Sequence, residues 1–141
     1  MKGAYPTIFT ELKDEKNTVL VEVPDFDITT EGYGMADAIS MARDAIGQRG
    51  VLWEDEKRKV PEPREMKDID ATKGVFAKAG ETTVSMVDID FSEYRRKTEN
   101  KAVRKNVTIP GWMDYEAEKA DLNLSRVLQE ALVGILGLKK N

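Results

Sequence analysis

The sequence predicts an α+β protein: a small sheet carrying one main helix, followed by a tail that runs strand, helix, turn, helix. Three observations carry this. Short runs up to about residue 33 alternate apolar with polar residues. From Met35 the apolar spacing becomes helical. Near the end, a basic segment with strand alternation precedes two short amphipathic stretches.

In order, AYPTIFTEL is rich in strand formers, and Pro6 suits an early or edge position. KDEKN reads as a turn, TVLVEV as an alternating strand closed by PDF, and DITTEG as a third short strand. Met35, Ala38, Ile39, Ala42, Ala45 and Ile46 then fall on one helical face, with Asp37, Arg43 and Asp44 opposite. Gly34 is a passable N-cap, and the helix should reach Leu52 or Trp53, with Trp53 packing at its end. Residues 54–80 carry turn signals (VPEP, EMKDIDATKG) and read as an excursion. TTVSMVDIDF is the next strand, and the stretch from Ser92 to Ala102, poor in large apolar groups, reads as a linker. The expected organisation is therefore 1–94, a linker at 95–101, and 102–141.

Composition bounds the function. The chain has 141 residues, 40% of them apolar and 34% charged, as in a globular protein of one domain or two small ones. No apolar run approaches the roughly 20 residues that span a bilayer, and MKGAYPTIF lacks a signal-peptide core, so a cytoplasmic protein without a membrane partner is expected. Cysteine and histidine are both absent. That removes thiolate metal sites, disulfides and the commonest general base, so any catalysis would have to run on carboxylates; no metal, cofactor or catalytic residue is expected once these are weighed below.

Charge is unevenly spread. Residues 1–94 hold twelve basic and twenty acidic side chains, a net of −8. Residues 95–110 hold six basic ones (Arg95, Arg96, Lys97, Lys101, Arg104, Lys105) against Glu99, a net of +5. Lys101 and Lys105 belong to this basic stretch, which suits a phosphate backbone.

Within VRKNVTIP, Val103, Val107 and Ile109 form the apolar face of a strand, and Arg104, Asn106 and Thr108 the other. Pro110 ends the strand and can open a helix. One helix is expected from Trp112 to about Asp121, and a second from Ser125 to about Leu136 with Val127, Leu128, Ala131, Leu132 and Ile135 as its apolar stripe. Asn123 or Ser125 can cap its start and Gly137 can end it. So short a tail cannot close a core alone. A second copy supplies the partner: two strands pair antiparallel and bury Val103, Val107, Ile109 and the helical stripe. The opposite face then presents Arg104, Asn106 and Thr108 twice about a two-fold axis. A two-stranded ribbon fits the DNA major groove, where Arg reads guanine, Asn reads adenine, and Thr reads either base or a thymine methyl. The amide end of the second helix, at Asn123 and Ser125, suits a phosphate.

KAVRKNVTIPGWMDYEAEKADLNLSRVLQEAL resembles a ribbon-helix-helix DNA-binding domain, and in particular the one that ends HicB-type antitoxins of type II toxin–antitoxin systems. YPTIFTE, VLVEVPDFDITTEG, ADAISMARDAI and VPEP follow the order of the HicB-like N-terminal half, a partial RNase H-like fold. The resemblance covers nearly the whole chain. It implies a dual role: residues 1–94 would mask a small HicA-type mRNA-cleaving toxin, and the tail would repress the operon by binding its operator DNA. Arg104, Asn106 and Thr108 match the ribbon positions that face DNA, and Asn123 and Ser125 match the entry to the second helix. The tail would make the homodimer, and dimers can pair further into tetramers. Val103, Val107, Ile109, Trp112, Val127, Leu128, Ala131 and Leu132 would form the dimer core, with Trp112 at the start of its helix and against the ribbon. Toxin-contact residues within 1–94 stay unassigned. Asp121 stands where such turns commonly have glycine, and Glu116 interrupts the apolar face of the first tail helix.

RNase H-type nucleases hold two metal ions with carboxylates, so Asp25, Asp27, Asp88 and Asp90 are candidates. That chemistry needs an aspartate near the middle of the first strand, and AYPTIFTEL has none. These acids are expected to be solvated strand ends or partner contacts. A ribbon-helix-helix repressor whose first domain senses a ligand or another protein is the alternative. A small basic reading frame with one histidine beside the gene would favour the antitoxin.

Overall fold

The computed structural model describes residues 1–138, in two compact units, Met1–Lys101 and a second that begins at Ala102. The first unit contains strands β1 (Lys2–Glu11), β2 (Thr18–Val23) and β3 (Ile28–Tyr33), helix α1 (Met35–Asp55), strand β4 (Glu81–Asp90) and helix α2 (Phe91–Thr98). The sheet is antiparallel with order β3-β2-β1-β4.

Alternation decides what each sheet face meets. Tyr5, Phe9, Val19, Val21, Val23, Val87 and Ile89 point to one face and pack with Ala38, Ala42 and Ile46 of α1. Gly32 lets α1 approach β3, because a Cβ there would lie 2.5 Å from the Ala38 backbone nitrogen. The other face carries Ile8 and Glu22, and the 54–80 excursion crosses it. There the Val75 amide donates to the Glu22 carboxylate (3.0 Å), and Gly74 lies against Ile8. The excursion's first two residues, 54 and 55, still belong to α1; beyond them its regular pieces are 3-10 turns at Met66–Asp68 and Ala71–Lys73, and the excursion thus serves as a cover for the sheet. Trp53 lies at the end of α1 as expected, stacked on Phe26 at 5.5 Å with the Arg58 guanidinium 4.5 Å from its ring centre.

The expected linker from Ser92 is corrected by the structure. Residues 92–98 are helical, and α2 belongs to the first unit. Asp90 caps it, accepting from the Ser92 and Glu93 amides, which holds the Asp90 carboxyl below its ordinary pKa range. Phe91 is fully buried, and the Tyr94 hydroxyl donates to Asp44 (3.0 Å). Arg95 bridges to Glu54, Asp55 and Glu99. The signal was present as Asp90-Phe-Ser-Glu93, an acidic N-cap with a glutamate three residues on. It is easily missed because the helix buries few large apolar groups. Its close approach to α1 depends on Gly47 and Gly50, where a Cβ would lie 2.5 Å from the Tyr94 ring and 2.1 Å from the Phe91 ring. Gly50→Ala is therefore expected to destabilise the first unit by about 1–3 kcal/mol through overpacking, despite alanine's better helix propensity. Thermal unfolding followed by circular dichroism checks this, and an unchanged or raised midpoint would contradict it.

The second unit contains α3 (Gly111–Lys119) and α4 (Leu124–Leu136), each beginning and ending within one or two residues of its expected bounds.

Candidate functional site

Residues 102–110 form no strand, contrary to expectation. A strand is a ladder and needs a second strand to bond to. The single chain offers none to this segment, so its alternating pattern has nothing to pair with. Lys101, Arg104, Lys105, Asn106 and Thr108 are all exposed there. In extended backbone, Arg104, Asn106 and Thr108 lie two residues apart and share one face.

The two helices are fixed by their ends. Pro110 opens α3, with its carbonyl accepting from the Met113 and Asp114 amides. Asp121 turns the chain at φ 54°, the left-handed geometry for which glycine is the usual choice, so the departure at this position is absorbed by backbone conformation. Asn123 is the N-cap of α4, and its side-chain oxygen accepts from the Arg126 amide (3.2 Å). That group is engaged by its own helix, while Ser125 in the first turn stays exposed. Gly137 ends α4 in the left-handed region at φ 63°, as its place after the apolar stripe predicts.

The expected dimer-core residues are unburied in the single chain. Val103 is 76% exposed, Val107 66% and Trp112 68%. Ile109, Val127, Leu128, Ala131 and Leu132 are exposed as well. Trp112, expected at the start of its helix and against the two-chain ribbon, is exposed at the start of α3 in the single chain. Among the described residues of the second unit, Ala117 alone is buried.

The four candidate acids of the first unit are mostly occupied structurally. Asp25 is nearly buried and accepts from both the Arg64 backbone amide (3.1 Å) and its guanidinium. Asp88 pairs with Arg43 at 2.9 Å, which lowers its pKa, and Asp90 caps α2. Asp27 turns the chain into β3 in the left-handed region. Among the described residues no group of three or more His, Cys, Asp or Glu side chains could hold a metal ion, and no helix is long and apolar enough to cross a membrane. Outside these acids, the exposed apolar Met41 and Leu52 of α1 stand beside the β3 edge. A helical period alone does not mark them, because it cannot tell a buried stripe from its flank.

No protein-family model matches the chain, and no curated protein matches it in sequence. Its structure is similar to a chain of a toxin–antitoxin complex from Streptococcus pneumoniae, with 25% sequence identity, 95% of this chain and 99% of that chain covered, and a TM-score of 0.61. A weaker likeness is to the Burkholderia pseudomallei antitoxin HicB, with 23% identity, 98% and 99% coverage, and a TM-score of 0.49. The resemblance to proteins of toxin–antitoxin systems, read from YPTIFTE through to the tail, thus extends over nearly the whole chain.

Proposed function

We propose that the chain is a HicB-type antitoxin of the cytoplasm. Its first unit binds and masks a small, basic HicA-type mRNA-cleaving toxin. Its second unit dimerises as a ribbon-helix-helix and represses the operon by binding operator DNA. The observation that carries this reading is the full-length likeness to a chain of a toxin–antitoxin complex, which includes both units. The exposed apolar residues of the second unit support the dimer: Val103, Val107, Ile109 and the α4 stripe are the groups a second copy would cover. Masking needs no chemistry, since covering the toxin's catalytic side chain or RNA path is enough. The acidic first unit suits a partner whose substrate is RNA, because opposite charge speeds encounter.

The test is co-expression with the gene beside this one, followed by pull-down and growth rescue. The first unit alone is expected to rescue growth, and the second unit alone is not. The structure sets where to cut. A 1–101 chain keeps α2 whole, whereas ending at residue 94 removes Arg95 and its bridges to Glu54 and Asp55. No rescue by a folded 1–101 chain, or rescue by residues 102–141, would overturn the division of roles.

A further inference from the structure

We infer that the outer edge of β3, with the α1 trough beside it, is where the toxin docks, and that the toxin does so by adding one extended segment to the sheet. This rests on the antitoxin reading and assigns it a surface.

The hydrogen-bond phase of β3 shows what is open. Thr18 pairs with Tyr33, and the Gly34 amide donates to the Asn17 carbonyl at 2.7 Å. By the alternation of an antiparallel ladder, Ile28, Thr30 and Gly32 then direct their backbone groups to β2, and Thr29, Glu31 and Tyr33 direct theirs outward. The Tyr33 amide is met by the Asp37 carboxylate at 2.8 Å, which closes that end. The amides and carbonyls of Thr29 and Glu31 are left facing out from an edge strand, ITTEGY, that contains neither proline nor lysine. Beside this edge runs a trough of about 400 Å³, whose lining includes Ile28, Thr30, Met41, Ala45, Gln48 and Leu52. Met41 and Leu52 are exposed despite being apolar. An added strand would bond to Thr29 and Glu31 and drop alternate side chains into the trough.

Charge selects the occupant. Asp27, Glu31, Asp37 and Asp44 are all exposed along this edge and the adjoining helix, against one basic side chain, Arg49, in the trough lining. The other sheet edge, β4, ends beside a groove in which Lys2, Arg43 and Lys97 are balanced by Asp88, Asp90 and Glu93, so it carries no net negative charge. A basic partner is therefore directed to β3.

The experiment measures binding of the full chain to the protein encoded by the adjacent gene, by calorimetry, with amide hydrogen exchange on the same complex. Thr29→Pro removes an outward donor and no bond to β2, a substitution edge strands tolerate. Met41→Asp and Leu52→Asp place a charge in the trough at exposed positions, so at least one variant should keep the fold. Each is expected to weaken binding about tenfold or more, and Met86→Asp on β4 is expected to leave it unchanged. The Thr29 and Glu31 amides should exchange fast in the free chain and become protected in the complex. Wild-type binding with full-strength binding by the folded β3 and α1 variants, or loss confined to Met86→Asp, would overturn the site and leave the antitoxin reading standing. No binding by wild type would remove both.

Discussion

Val107→Asp is expected to convert the chain from a dimer to a monomer while leaving the first unit folded. Val107 is 66% exposed in a single chain, so an aspartate there meets water and does no harm to the monomer. In the proposed ribbon it faces four helices, and the two-fold axis places two such carboxylates in one apolar layer. An unpaired buried charge costs on the order of 3 kcal/mol or more per copy, and each 1.4 kcal/mol is about tenfold in affinity. The dimer should therefore weaken by about four orders of magnitude. Size-exclusion chromatography with light scattering reads this directly. A wild-type chain that is monomeric at micromolar concentration would sink the dimer, and a Val107→Asp chain that remains dimeric would move the interface elsewhere.

Arg104→Ala is expected to weaken operator binding about tenfold or more and to relax the preference for operator over unrelated DNA. A bidentate contact to a base is worth about 1–3 kcal/mol of discrimination, and a dimer loses it twice. Lys101→Ala should behave differently. A phosphate contact carries no sequence information, so affinity should fall on all DNA alike and the salt dependence should flatten. Footprinting and a salt titration separate the two. Equal protection of the same promoter site by Arg104→Ala would mean that the other face of the segment meets the DNA.

Much of the fold was legible in the sequence, for reasons that differ by element. β2, β3 and β4 bury mainly the face on α1, and that requirement writes itself into alternation, whereas β1, buried on both faces from Tyr5 to Thr10, was legible from its strand-forming residues. α1, α3 and α4 were legible from period and ends, notably Asn123 and Gly137 around α4. α2 was not, because its attachment is made of a cap, two glycines on α1 and the Arg95 bridges, none of which alters hydrophobic periodicity. The excursion was legible as irregular, but that it covers the sheet was not, since its ties, such as the Val75 amide to Glu22 and the Tyr5 hydroxyl to the Pro61 carbonyl, join residues 53 and 56 apart in the chain. The strand expected at 103–109 is the opposite case. Its alternation is clear, yet one chain cannot form it. The proposed partner surface of the first unit was illegible, because an open strand edge is made of backbone groups that every residue possesses.

The almost complete lack of burial in the second unit has a consequence for regulation. Where packing is supplied by a second molecule, the stability of the packed form obeys mass action and rises with the concentration of the chain. If the chain is the dimeric repressor proposed above, then while monomer predominates the amount of competent repressor scales as the square of the amount of free protein. Halving the chain would quarter the species able to hold the operator. In that proposed role, a unit that is incomplete by itself would turn a modest change in protein abundance into a steeper change in transcription, with no ligand and no moving part beyond the meeting of two chains.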